Sequence, residues 1–81
     1  MLLEIISPDK SLYSGKILSI RVPGSKGSFE ILKNHAPIIS TLDKGMIDIL
    51  EKNGDRSTFK VDGGVIEAKN NKIIVLAESA K

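Results

Sequence analysis

Glycine and proline interrupt the chain at intervals of about ten residues, and this spacing constrains the fold more than any other feature. The segments between the interruptions are short and rich in isoleucine, valine and leucine. Short β-branched segments separated by regular turn signals are typical of an all-β sandwich or barrel. The interruptions fall at Pro8, Gly15, Pro23, Gly24, Gly27, Pro37, Gly45, Gly54, Gly63 and Gly64.

Length and composition predict how such a chain forms a core. Its 81 residues suffice for one domain, which we expect to span residues 1–81. Hydrophobic residues make up 41% of the chain but aromatic residues only 4%, so the core must consist mainly of aliphatic side chains. The chain has no cysteine, which excludes disulfide bonds and thiolate chemistry.

Alternation of apolar and polar residues predicts the individual strands. Between Leu18 and Val22 the period is two, which places Leu18, Ile20 and Val22 on one face. The run from Ile73 to Leu76 is apolar throughout, as expected of a central strand covered on both faces. Together these patterns predict a small antiparallel β-sandwich of about nine or ten short strands.

The residues between these strands have identifiable turn chemistry. Asn53-Gly54 and Asn70-Asn71 both favour tight hairpins, because their central residues tolerate positive φ. Gly63-Gly64 predicts a bulge or a bend between strands. We therefore assign turn or bend roles to Gly24, Gly27, Pro37, Gly45, Gly54, Gly63 and Gly64.

Residues 31–42 also fit a helical spacing of apolar side chains. Pro37 argues against a helix, because proline lacks a backbone donor and biases the preceding Ala36 toward extended geometry. We expect extended structure here.

The chain offers little catalytic chemistry. It contains one histidine, and its ten acidic residues are dispersed. Gly24 to Ser28 superficially resembles a phosphate loop but lacks the full spacing of that motif and precedes a predicted strand. We expect no catalytic, cofactor or metal site. The net charge of +2 is scattered, which argues against nucleic-acid binding, and no apolar stretch reaches the roughly 18 residues that membrane insertion needs.

His35, the single histidine, has two interpretations. The favoured one is a partly buried side chain that anchors the loop before Pro37. The other is an exposed contact residue at a protein interface. A catalytic base is disfavoured, because no orienting partner or nucleophile is near it in the sequence.

An ordered set of motifs from Leu3 to Ala80 resembles the N-terminal β-sandwich domain of the ε subunit of F-type ATP synthases. Each motif alone is weak, and it is their order and spacing along the whole domain that carries the resemblance. The motifs are Leu3–Pro8, Leu12–Gly15, Val22-Pro23-Gly24 with Gly27, Ile31-Leu32, Asn34–Pro37, Leu42 with Gly45-Met46, Gly63–Glu67 and Ile73–Ala80.

The resemblance implies a non-catalytic rotor subunit of the central stalk. Such a subunit links the γ subunit to the membrane-embedded ring of c subunits and helps couple proton translocation to ATP synthesis. It implies a peripheral location on the cytoplasmic face of the inner (plasma) membrane of a bacterium. The residues expected to contact the c-ring are Lys26, Ser28, Glu30, Asn34 and His35.

This chain departs from the family in two ways. The family often has a carboxylate at the position matching Ser28, and here Glu30, on the same strand face, is expected to substitute for it. Full-length relatives continue into a C-terminal helical hairpin that inhibits ATP hydrolysis and in some cases binds ATP. Because this sequence ends at Lys81, we expect a naturally short form without nucleotide binding.

Two other classes of function remain as alternatives. One is a free-standing β-sandwich binding module with another partner, and the other is a small hydrolase or nucleotide-binding enzyme.

Overall fold

The computed structural model describes residues 1–78, and this part of the chain contains eight β-strands and no helix. The all-β prediction is confirmed, and so is the absence of a helix in residues 31–42. The strand count falls below nine because one strand of twelve residues continues through Gly15, where a break was expected. Ser79, Ala80 and Lys81, which end the last predicted motif and the chain, lie outside the described residues. The strands are β1 (Leu2–Ile6), β2 (Ser11–Val22), β3 (Phe29–Leu32), β4 (Ile38–Leu42), β5 (Gly45–Glu51), β6 (Arg56–Val61), β7 (Gly64–Lys69) and β8 (Lys72–Ala77).

The strands form two layers that share β2. The first layer has the order β4-β7-β8-β1-β2, and the second has β3-β2-β5-β6. All neighbouring pairs are antiparallel except β1 and β8, which run parallel. A parallel pair needs a long connection, and here almost the whole chain separates the two strands.

A bulge lets β2 pass from one layer to the other. Its first half pairs with β1, and its second half pairs with β3 and β5, with a register shift between Ile17 and Ser19. The extra residue reverses the inward and outward alternation. Ile17 is therefore buried, whereas Leu18 is 47% exposed. The prediction that Leu18 shares a face with Ile20 and Val22 is wrong for this reason.

The core between the layers is aliphatic, as the composition predicts. No aromatic side chain is among the buried hydrophobic residues of the described chain, and Tyr13, Phe29 and Phe59 pack only partly buried against the core. The buried residues are Leu3, Ile5, Ile17, Ile20, Val22, Ile31, Leu42, Ile47, Ile49, Val61, Ile66, Ala68, Ile73, Val75 and Ala77.

Strand β8 is covered on one face only. Ile73 and Val75 are buried, but Ile74 is half-buried and Leu76 is 54% exposed. The prediction of a strand enclosed on both faces is therefore wrong. Although β8 is central within the first layer, the core lies on only one side of that layer.

The two asparagine-containing hairpins differ in their turns. Asn70 and Asn71 both have positive φ, 52° and 60°, as a two-residue turn between Lys69 and Lys72 requires. At the other hairpin only Gly54 has positive φ, and the Glu51 N–H donates to the Asp55 carbonyl oxygen across a three-residue loop. The expected two-residue turn is wrong there. The Asp55 N–H donates to Asn53 Oδ1 and holds Asn53 in its own local turn.

The remaining glycines allow either unusual backbone angles or close approach. Gly27, Gly63 and Gly64 have positive φ. A Cβ atom at Gly24 would lie 2.7 Å from the Gly27 carbonyl oxygen, and one at Gly45 would lie 2.9 Å from Pro23 Cβ. The absence of a side chain at Gly24 and Gly45 is what allows this close packing at the β2–β3 and β4–β5 connections.

Candidate functional site

The residues expected to contact the c-ring all lie along one edge strand, β3, and the two connections that flank it. Among the described residues, β3 pairs only with β2, so its other edge is free. All five side chains are exposed. We call this surface the β3 ridge, and it consists of Lys26, Ser28, Glu30, Asn34 and His35.

The structure does not gather these residues into one pocket. Lys26 and Ser28 precede β3, whereas Asn34 and His35 follow it, so about 10 Å of strand separates the two groups. Lys26 lines a groove against β4, and His35 lines a separate shallow cleft near Lys72. The β3 ridge is therefore suited to contact with an extended surface and not to enclosure of a small ligand.

The loop at the start of the ridge is held by β4. The Ser25 N–H donates a 3.0 Å hydrogen bond to the Thr41 carbonyl oxygen, and Thr41 Oγ1 donates to Ser25 Oγ. The Gly27 N–H closes the turn by donating to the Gly24 carbonyl oxygen. The loop leads into a strand, so no helix N-terminus is available here to bind a phosphate.

Glu30 projects outward from the middle of the ridge. In register across the second layer, Arg21 lies between Glu30 on β3 and Asp48 on β5. Cross-strand neighbours of this kind are within interaction distance. Arg56 lines the same cleft as these three residues, so two cations and two carboxylates lie near one another here.

His35 is exposed, so the partial burial that the favoured interpretation expected is wrong. Its backbone N–H donates to the Leu32 carbonyl oxygen, and its Nδ1 lies 2.7 Å from the Ala36 carbonyl oxygen. A carbonyl oxygen can only accept, so this contact requires the proton on Nδ1. In the neutral ring, Nε2 is then an acceptor available to a partner.

Asn34 is exposed and is hydrogen-bonded to Asn71. Its φ is 66°, and its backbone N–H donates to the side chain of Asn71 on the β7–β8 turn. The ridge is therefore connected to the first layer at this end.

A second surface was missed by the sequence interpretation. On the outer face of the first layer, Val65 pairs in register with Leu76, and Leu76 pairs with Ile6. Ile39, which is 74% exposed, and Ile74 lie on the same face, with the exposed Glu67 in register between them. The apolar run in β8 was a signal for this surface, but it was interpreted as a core strand. We call it the apolar face, and it consists of Ile6, Ile39, Val65, Ile74 and Leu76.

Among the described residues, the phenol of Tyr13 lies in an environment that shifts its pKa. Residues 1–78 contain no group of three histidine, aspartate or glutamate side chains placed to hold a metal. Partial burial, followed by the hydrogen bond and negative charge of Glu51, raises the pKa of Tyr13 above its usual value. In the same part of the chain, no helix is long and apolar enough to cross a bilayer.

Comparisons with known proteins identify relatives of this chain. The family model of the ATP synthase delta/epsilon chain β-sandwich domain matches residues 1–81. The ATP synthase epsilon chain of Leptospira borgpetersenii is 44% identical over 75 residues, which are 93% of this chain and 58% of that protein. The chain thus spans less than two thirds of that relative.

Two solved structures share the fold at low identity. A chain of the Euglena gracilis mitochondrial ATP synthase OSCP/F1/c-ring structure superposes with a TM-score of 0.91 at 14% identity, covering 100% of this chain and 52% of that one. A chain of the Tetrahymena thermophila mitochondrial ATP synthase central stalk and c-ring gives 0.81 at 17% identity, covering 100% and 65%.

Proposed function

Because the chain belongs to the β-sandwich domain family of ATP synthase delta and epsilon chains, we propose that it is a non-catalytic rotor component of the central stalk. In this role it joins the γ subunit to the c-ring and helps couple proton translocation to ATP synthesis. The observation that carries the proposal is the family match across all 81 residues. A free-standing binding module with another partner is not favoured by that match.

The β3 ridge is the surface that we assign to the c-ring. It is polar and extended, and it carries Lys26, the carboxylate of Glu30 and the Nε2 acceptor of His35 within one edge. Charges and hydrogen bonds of this kind set the register between two surfaces more than they set raw affinity. A rotor that transmits torque needs such a register, because slippage at the ring would lose coupling.

The apolar face is the surface that we assign to γ. Exposed aliphatic side chains on adjacent strands mark protein-binding surfaces, because their burial in a complex is favourable. The face is on the first layer and the β3 ridge is on an edge of the second, and the two surfaces meet at a groove that Lys26 and Ser28 line together with Ile39 and Val65.

The shared strand supports a mechanical role. Because β2 is hydrogen-bonded into both layers, the layers cannot slide past each other without breaking its pairing. Torque applied at one surface then reaches the other through covalent and hydrogen-bonded structure. The proposed location is peripheral, on the cytoplasmic face of a bacterial plasma membrane.

Co-migration with γ from the same source tests the proposal. We expect the wild-type chain to form a complex with γ in size-exclusion chromatography at micromolar concentrations. L76E places a charge in the apolar face and should abolish the complex. M46E is the matched control, because Met46 is 47% exposed on the outer face of the second layer.

The outcomes separate the two parts of the proposal. If the wild-type chain does not co-migrate with γ, the rotor assignment is wrong. If the wild-type chain binds and L76E binds equally well, the rotor assignment stands and the assignment of the apolar face to γ is wrong. Circular dichroism of both variants verifies that the sandwich is intact.

A further inference from the structure

Two asparagines, 37 residues apart, bond to each other reciprocally at one end of the β3 ridge. The backbone N–H of Asn34 donates a 2.7 Å hydrogen bond to Asn71 Oδ1, and Asn71 Nδ2 donates a 3.1 Å bond to Asn34 Oδ1. Both polar atoms of the Asn71 amide are thus directed to Asn34. Both residues have positive φ, which asparagine tolerates better than most residues.

Asn71 is the fixed member of this pair. It belongs to the two-residue turn that joins β7 to β8, and its carbonyl oxygen accepts a 3.0 Å hydrogen bond from the Leu2 N–H. Asn34, in contrast, lies in the exposed connection between β3 and β4, where the chain passes from the second layer to the first. The pair therefore attaches a surface connection to the framework of the first layer.

His35 directly follows the attached residue. Its side chain is exposed, and its Nδ1 contact is with the adjacent Ala36, so nothing in these contacts ties the imidazole to a strand. The Nδ1–H bond to the Ala36 carbonyl oxygen holds the ring against the local backbone, so the direction of Nε2 follows that backbone. That backbone is held by the Asn71 side chain and by the bond from the His35 N–H to Leu32.

We propose that Asn71 is a positioning residue that orients the imidazole of His35, through Asn34, toward a hydrogen-bond donor on the c-ring. The inference rests on the proposed function for its partner but assigns a role to a residue on a different hairpin from the ridge. In this proposal Asn34, which was expected to contact the c-ring, links Asn71 to His35. The recognised chemistry is a polar donor that meets Nε2 of the neutral ring.

Three variants of one turn test this proposal. N71G removes both side-chain bonds while glycine keeps the positive φ. N70G alters the neighbouring residue of the same turn, which also has positive φ, and leaves the link to Asn34 in place. N71D is the conservative variant, because its carboxylate still accepts from the Asn34 N–H and from a rotated Asn34 amide.

The measurement is affinity of each γ-bound variant for detergent-solubilised c-ring from the same source. We expect N71G to bind about tenfold more weakly, the loss expected when one or two hydrogen bonds no longer hold a geometry. N70G and N71D should stay within about twofold of wild type on the same reasoning. Thermal unfolding of each variant shows whether the sandwich is intact.

Nuclear magnetic resonance of the imidazole measures the tautomer of His35, which a loss of overall stability alone would not change. His35 is the only histidine, so its ring nitrogens are unambiguous. At a pH where the ring is neutral, the wild type, N70G and N71D should show the proton mainly on Nδ1, and N71G should show a mixture of tautomers.

Each outcome decides the proposal. If N71G keeps wild-type affinity for the c-ring, the proposal is wrong. It is also wrong if N70G and N71G lose c-ring affinity equally, because the cause would then be the turn and not the bond to Asn34. The proposal is also wrong if N71G binds the c-ring weakly but still carries the imidazole proton mainly on Nδ1. A wild-type chain with γ bound that does not bind the ring overturns the proposed function and this inference with it, whereas a loss specific to N71G together with mixed tautomers supports both.

Discussion

The phenol oxygen of Tyr13 donates a 3.0 Å hydrogen bond to Oε1 of Glu51, which joins β2 to the end of β5. Oε2 of the same carboxylate accepts a hydrogen bond from Ser57 Oγ, and the Tyr13 ring packs edge-on against Phe59 at 5.9 Å between centroids. This group lies beside the bulge where β2 changes layers. It therefore ties the two layers together at the bend on which the proposed stiffness depends.

Removal of the phenol oxygen should weaken this connection. We expect Y13F to lower the free energy of unfolding by about 0.5–1.5 kcal/mol, because Glu51 loses one of its two partners. Urea unfolding measures the change. E51Q and the double variant complete a mutant cycle, and a coupling free energy near zero would show that the bond contributes nothing to stability.

The pKa of Tyr13 makes stability depend on pH in the alkaline range. Burial and Glu51 raise this pKa, so the folded state holds the phenol proton more tightly than the unfolded state. The resulting stabilisation is fully present below about pH 10, the usual value for tyrosine, and is lost as pH rises through the higher folded-state pKa.

Ultraviolet absorbance tests this pH dependence directly. Tyr13 is the only tyrosine and the chain has no tryptophan, so tyrosinate absorbance reports one group. We expect its titration midpoint to lie above that of the chain unfolded in urea. E51Q should lower the midpoint but leave it raised, because burial is the larger cause. Equal midpoints in folded and unfolded chains would contradict this expectation.

A side chain at Gly64 should be costly. Its φ is 152°, and an added Cβ would overlap the carbonyl oxygen of Leu76 on the neighbouring strand. At Gly27, φ is also positive, but no atom lies within 4 Å of an added Cβ. We expect G27A to cost about 1–3 kcal/mol from backbone strain alone and G64A to cost more. Thermal unfolding that ranks G27A below G64A in stability would be the contrary result.

The bulge in β2 predicts opposite sensitivities at adjacent residues. I17A should cost about 2–5 kcal/mol, because Ile17 is buried and its truncation leaves a cavity. L18A should cost less than about 1 kcal/mol, because Leu18 is 47% exposed. Chemical denaturation of the two variants compares them. If L18A lost more free energy of unfolding than I17A, the reversal of inward and outward alternation would lie at another position in β2.

His35 should matter for assembly but not for folding. Because its side chain is exposed, H35A should change the free energy of unfolding by no more than about 0.5 kcal/mol. Its affinity for the c-ring in complex with γ should fall. K33A, in the same connection and also exposed, is the control for loss of a surface side chain. A variant that fails to fold would instead assign His35 an anchoring role.

Features that depend on neighbouring residues were predicted well. The regular turn signals gave the all-β class, Asn70-Asn71 gave a two-residue hairpin, and Pro37 excluded a helix between β3 and β4. The candidates of the β3 ridge are close in sequence, and the structure keeps them along one strand. The sequence did not show that β3 separates the candidates into one group at each end of the strand.

By itself, the sequence determined that this chain folds as strands around an aliphatic core, because turn chemistry and alternation act over a few residues. Only the tertiary structure decided that Ile17 and not Leu18 is buried, that β8 exposes one face, and that Asn71 reaches Asn34. Each of these depends on which distant strands pair and where β2 changes layers. Such choices follow from packing across the whole chain, which no local pattern records.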